Sequence, residues 1–107
     1  MNPTTIAPAE AARRLAAGGD FLLLDVRSPK EVVVACVAGA TNVPMAEIPG
    51  RLAEIDRTKE VAVMCHHGVR SAQVAAYLAS LGWPRVSSVA GGIDRWSTDV
   101  DPKIARY

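Results

Sequence analysis

The chain has little of what marks several large classes of protein. Its 107 residues include two cysteines, Cys36 and Cys65, too few to staple a small fold with disulfides, so each thiol must be judged by its surroundings. Twelve Lys and Arg stand against 11 Asp and Glu, a net charge of +1, and no basic cluster offers a footprint for nucleic acid. No apolar run approaches the length of a membrane-spanning helix, and the opening MNPTTIAPAE has neither the basic nor the apolar part of a secretory leader. A cytoplasmic protein with small-molecule or protein partners, binding neither nucleic acid nor membrane, is the expectation. Repeats, low-complexity tracts and linkers are missing too. Residues 1–107 therefore read as one domain, loose only in the first few residues and in the polar tail after Trp96.

What is present alternates between two periodicities. Pro8 to Ala17 predicts a helix, with Pro8 at the first helical position, alanine and leucine at helical spacing, and Gly18-Gly19 to end it. Phe21 to Val26 is a short continuous apolar run whose sole charge is Asp25, the mark of a strand buried on both faces. Ser28-Pro29-Lys30-Glu31 forms a capping box that starts a short helix through Val32 to Val34. Gly39 to Pro44 reads as a turn and a brief strand. Ile48, Leu52 and Ile55 fall at the spacing of a third helix, although Pro49 and Gly50 interrupt its start. Val61 to Met64 is a second buried strand, Ser71 to Leu81 a helix with Val74, Leu78 and Leu81 on one face, Val86 to Val89 a third strand, and Gly92 to Trp96 a last helical turn. Strands alternating with helices imply an α/β fold with a mainly parallel sheet covered on both faces. Ligands of such sheets bind beyond the carboxyl ends of the strands, here at Asp25 to Arg27, Cys65 to Arg70, and Ala90 to Gly92.

The middle of these, VAVMCHHGVRSAQVAAYL from Val61 to Leu78, ends a strand on Cys65 and starts a helix near Ser71. A helix N-terminus carries about half a positive charge and several unpaired N–H groups, and a glycine-containing loop turns more of them inward. Gly68 supplies the backbone freedom for such a turn, and Arg70 adds a permanent positive charge at the rim. These features favour thiolate over thiol and lower the expected pKa of Cys65. An isolated cysteine ending a strand is more often a small buried hydrophobe; glycine, arginine and helix start in combination reverse that choice. A metal site is not expected, because beyond Cys65, His66 and His67 the chain has no further histidine. At least one of the two histidines is read as a solvated residue at the entrance.

The loop Cys65-x-x-x-x-Arg70-Ser71 resembles the active-site loop of single-domain rhodanese sulfurtransferases. Three further segments are similar to that family in the same order: Leu24-Asp25-Val26-Arg27-Ser28-x-x-Glu31, Gly39-Ala40-x-Asn42-Val43-Pro44, and Ala90-Gly91-Gly92-Ile93-Asp94-x-Trp96. Two positions depart from the family pattern. Val32 stands where an aromatic residue is common, and Ala35-Cys36-Val37 where Gly-His-Ile is common, which implies altered packing. Cys36 is read there as a buried small apolar residue in preference to a resolving thiol.

The resemblance implies a rhodanese-like three-layer α/β/α fold and sulfur transfer without a cofactor. Cys65 would take the outer sulfur of thiosulfate or a similar small sulfur-containing anion, hold it as a persulfide, and pass it to cyanide, a thiol or a protein acceptor. The amides of His66, His67, Gly68, Val69, Arg70 and Ser71 would stabilise the sulfur anion, Arg70 would orient the donor, and Ser71 would either donate to the persulfide or simply cap its helix. Asp25 and Arg27 line the pocket or form a structural ion pair, with or without Glu31, and the pair is preferred. Gly91 and Gly92 let the backbone approach the loop, while Asp94 and Trp96 anchor the final turn. Two other functions use similar parts. Cysteine-dependent phosphatases and arsenate reductases resemble Cys-x5-Arg, one residue longer than the loop here. A regulatory module or a sulfur carrier docked on a partner enzyme is the second alternative.

Overall fold

The fold follows from how the apolar runs are used. In a computed structural model, which describes residues 4–107, five parallel strands lie in the order β1-β5-β4-β2-β3. They are β1 (Thr4–Ile6), β2 (Phe21–Asp25), β3 (Thr41–Asn42), β4 (Glu60–Met64) and β5 (Val86–Val89), with helices α1 (Pro8–Ala17), α2 (Pro29–Val34), α3 (Val69–Ser80) and α4 (Gly92–Asp99) between and after them. Along β4 the side chains alternate between two cores. Val61 and Val63 join Leu24, Val74, Leu78 and Trp83 under α3, whereas Ala62 and Met64 join Leu23, Ala11, Ile93 and Trp96 under α1 and α4. Burial on both faces is why the central strands carry no polar alternation. The result is the three-layer α/β/α arrangement with a parallel sheet.

Several local expectations are corrected. The third helix is two 3-10 turns, Met45–Gly50 and Leu52–Glu54, because Pro49 donates no backbone hydrogen bond; Ile48 and Ile55 are still buried. β1 is a strand the polar Thr4-Thr5 pair did not announce, although Thr4 and Thr5 lie at the sheet edge beside Ser87 and Ser88. Part of the expectation of a loose start falls on residues 1–3, outside the described residues. Leu81 is exposed: α3 ends one residue earlier and Trp83 fills the core in its place. Cys36 is exposed rather than buried, since burial alternates just past α2, with Ala35 and Val37 turned inward and Cys36 outward.

The tail after Trp96 is packed. α4 continues to Asp99, Ile104 packs against the α1/α4 core, Ser97 Oγ donates to the Ile104 carbonyl at 2.6 Å, and Arg106 Nε donates to Asp94 at 2.9 Å. The polar sequence of this segment hides an anchor made of one isoleucine and a few hydrogen bonds. It returns the chain to the carboxyl ends of the strands.

Asp25 and Arg27 form a buried ion pair there. Arg27, 0% exposed, donates from Nε to Asp25 Oδ1 at 2.9 Å and from Nη2 to Oδ2 at 2.6 Å. Its remaining donors reach the carbonyls of Ala35 (2.7 Å) and Glu31 (3.3 Å) and the Tyr107 hydroxyl (2.9 Å). The paired geometry with every direction used offsets the cost of removing both charges from water. Replacing Asp25 with Ala strands the Arg27 charge, and a loss of about 3–5 kcal/mol in urea-unfolding stability is expected. A loss below 1 kcal/mol by roughly the same measurement would show that the pair is not a structural keystone.

Candidate active site

The loop between β4 and α3 is shaped by backbone first. Gly68 caps α3 with φ of 110°, a left-handed value that a side chain would strain. Beneath the loop, the first amides of α4 are spent on it: Ile93 N–H donates to the Cys65 carbonyl at 2.8 Å and Asp94 N–H to the His66 carbonyl at 3.1 Å. A Cβ on Gly92 would sit 2.4 Å from both of those carbonyl oxygens, so only glycine allows the approach. Gly91, with φ of 73°, caps α4. The two glycines thus hold the first two peptides of the loop in place.

Cys65 is 1% exposed, at the floor of this loop. Its Sγ accepts the Gly68 N–H at 3.0 Å and lies 3.4 Å from Ser71 Oγ, which in turn meets the buried Ser88 Oγ at 2.8 Å. Burial alone would push the thiol up. Hydrogen bonds from the Ser71 hydroxyl, and then the Ser71, Gly68 and His67 amides, outweigh it and place the net shift below the ordinary thiol value. Ser71 lies inside α3, so the role of plain helix cap does not apply to it.

Arg70 departs from the sequence expectation. Its guanidinium is turned to Glu31 in a two-pronged pair, Nη1 to Oε1 at 2.7 Å and Nη2 to Oε2 at 2.9 Å, and does not reach into the loop as a free anion contact. Glu31 also accepts the Ser28 N–H of the capping box at 3.2 Å and the Tyr107 hydroxyl at 2.8 Å. Chiefly through Arg70, its carboxyl falls well below the usual carboxylate range. The stabilising charge is therefore complete above that range and is lost only as strongly acidic pH protonates Glu31.

His66 is half-buried and stacks between His67 and Tyr107, each ring centroid 3.8 Å away. Burial, then the neighbouring His67, push its pKa down, which favours the neutral ring. His67 and Val69 are exposed, Val69 by 70%. Asp94 adds a third candidate ligand that a count of histidines leaves out: ligand atoms of His66, His67 and Asp94 lie within 4.8 Å of one another. Asp94 is held by Arg106, and the two imidazoles are stacked on one another.

The structure thus brings Cys65, Gly68, Ser71, Gly91 and Gly92 into one arrangement and sets Arg70 at its rim. Asp25 and Arg27 lie one step behind, joined to the rim through Tyr107 and Glu31. Sequence reasoning missed Ser88 and Tyr107 altogether. A serine in a strand and a tyrosine in a polar tail carry no local signal. A surface concavity lined by Thr4, Ser80, Trp83 and Ser87 among others includes none of these loop residues.

A parallel three-layer α/β/α domain with a cysteine loop joining strand to helix is a recognisable class, and comparison with known proteins places it. The model of the Rhodanese-like domain family matches residues 7–99, and the chain belongs to that family. A protein named Sulfurtransferase from Allochromatium vinosum is 38% identical, over 88% of both chains. The Thiosulfate sulfurtransferase GlpE of Tolumonas auensis is 38% identical over 69% of this chain and 70% of its own. Among solved structures, a rhodanese-related protein from Thermoplasma volcanium superposes with a TM-score of 0.83 at 30% identity, covering 97% of this chain and 99% of that one.

The hydrogen bonds to sulfur make a direct prediction. In a Cys36→Ser background, the pH midpoint of Cys65 alkylation by iodoacetamide should lie below the ordinary thiol value, and Ser71→Ala should move it upward. An unmoved midpoint would remove Ser71 from the stabilisation of the thiolate.

Proposed function

We propose that the protein is a sulfurtransferase that carries a sulfane sulfur on Cys65 as a persulfide. The observation that supports this most is the buried Cys65 Sγ, held 3.0 Å from the Gly68 N–H and 3.4 Å from Ser71 Oγ at the start of α3. The Cys65 thiolate attacks the outer sulfur of the donor. For thiosulfate a new S–S bond forms as the old one breaks, and sulfite leaves with the bonding pair, so the charge moves outward by one atom onto Cys65–S–S⁻. The Gly68 amide, already bonded to sulfur, and with it the His67 and Ser71 amides that help lower the thiol pKa, stabilise both anions without rearrangement. In the second half-reaction cyanide or a thiolate attacks the terminal sulfur, and the Cys65 thiolate leaves. Thiosulfate is proposed as donor because a relative carries it in its name.

The loop argues against phosphoryl chemistry. A phosphatase cradle needs an arginine fork free to grip the oxyanion, whereas the Arg70 fork is occupied by Glu31. The deciding measurement is intact mass of the reduced protein after thiosulfate and then after cyanide. Wild type should gain one sulfur atom that cyanide removes, and Cys65→Ala should gain none. Hydrolysis of an aryl phosphate by wild type and not by Cys65→Ser, without any sulfur gain, would replace the proposal with the phosphatase reading.

A further inference from the structure

Cys65 is almost wholly enclosed, so the groups around the loop decide what reaches it. The surroundings of the loop differ in how firmly they are held. Its first peptides are bonded to α4, its last residues belong to α3, and Arg70 is paired with Glu31. Tyr107 is held differently. The segment leading to it is anchored at Ile104 and by the Arg106–Asp94 pair, and beyond these Tyr107 is tied by its side chain: the ring stacked on His66 at an interplanar angle of 6°, the hydroxyl between Arg27 Nη1 and Glu31 Oε2. That same Oε2 accepts from Arg70 Nη2. One tyrosine therefore touches the residue after Cys65 and, through a shared carboxylate oxygen, the arginine five positions along.

We propose that Tyr107 is the specificity-determining residue of the Cys65 site, a gate that admits small anionic sulfur donors when closed and bulkier organic persulfides and thiols only when its ring swings off His66. The ring is a flat wall at the start of the loop, and the hydroxyl a latch that costs two hydrogen bonds to open. Both bonds involve charged partners, Arg27 and Glu31, so the closed state is the resting one. Opening need not disturb the core, because Ile104 remains packed and Arg106 remains on Asp94. With an organic persulfide as donor, the Cys65 thiolate bonds to the terminal sulfur, the donor S–S bond breaks, and the organic thiolate leaves; the terminal proton stays with the transferred sulfur. This donor step rests on the persulfide reading of the site, whereas the gate does not.

The test is therefore made first with probes that need no sulfur chemistry. In a Cys36→Ser background, N-methylmaleimide and a fluorescein maleimide present the same electrophile at two sizes. Each adds through its alkene carbon to the Cys65 thiolate, and the adjacent carbon takes a proton from water. The ratio of the large to the small probe's rate should rise about tenfold in Tyr107→Ala and roughly threefold in Tyr107→Phe, which keeps the ring and loses the latch. An unchanged ratio, or a rise shared equally by both probes, overturns the gate. Should Tyr107→Ala lose its cooperative thermal melt, Tyr107→Phe carries the test with the same outcomes. Sulfur loading then separates the two proposals: Tyr107→Ala should raise kcat/KM for glutathione persulfide relative to thiosulfate. A shifted maleimide ratio with no loading from either donor would keep the gate and discard the persulfide.

Discussion

The buried guanidinium of Arg27 is the constraint on which the functional end of the molecule depends. It sits at the carboxyl end of β2 and spends its donors on four different parts of the chain: Asp25 beside it, the Glu31 and Ala35 carbonyls around α2, and the Tyr107 hydroxyl. α2 buries no residue of its own, so apolar packing does not explain its position. Arg27, the capping box and the Arg70–Glu31 pair supply the missing fixation. A charged group so enclosed is a poor source of net stability but a strict enforcer of geometry, because no misplaced arrangement satisfies its donors. That strictness passes through Tyr107 and Glu31 to the arginine of the cysteine loop.

The loop itself relies on partial charges more than on full ones. With Arg70 committed to Glu31, the groups nearest Cys65 Sγ are amides and a hydroxyl. Fixed dipoles at the start of a helix serve a sulfur anion well, since they need no counter-ion to move when the charge shifts by one bond length. Ser88 extends this arrangement. Its hydroxyl lies 2.8 Å from Ser71 Oγ inside the protein, giving the Ser71 hydroxyl a second partner so that it bonds sulfur without being left half-satisfied. Gly92 serves the same end by geometry: the 2.4 Å that a Cβ would leave is the measure of how closely α4 supports the loop.

What was readable in the sequence was whatever is encoded locally. The apolar runs at Leu22 to Leu24 and Val61 to Val63 declare strands buried on both faces, Ser28 and Glu31 declare a capping box, and Gly68 beside Cys65 declares a tight turn into a helix. Each of these is present. The failures share a cause as well. β1 takes its identity from pairing with β5, Leu81 loses its core place to Trp83, and Ser88 and Tyr107 gain theirs from partners 17 and 76 residues away. Periodicity and capping rules see neighbours along the chain, and these side chains have theirs across it. Arg70 is the instructive intermediate case. Its presence at the loop was plain, but its direction was set by Glu31, 39 residues earlier, whose local role as a capping residue concealed the second one.

That double use of Glu31 ties recognition to folding. One oxygen, Oε1, receives the Ser28 N–H that starts α2 and also Arg70 Nη1; the other, Oε2, receives Arg70 Nη2 and the Tyr107 hydroxyl. A carboxylate with this many donors stays ionised far into acid, so the rim keeps its arrangement across the physiological range. It also means that Arg70 is not a free charge waiting for an anion. For Arg70 to grip a donor it must leave at least one Glu31 oxygen, and the oxygen it shares with Tyr107 is where such a change would be felt by the ring over His66. With Tyr107 as the gate, a donor small enough to be held by the loop amides leaves that corner intact, and one that needs more room must pull on Glu31, Arg70 and Tyr107 together. Selection among donors then rests on a single crowded carboxylate oxygen rather than on the shape of the cysteine loop.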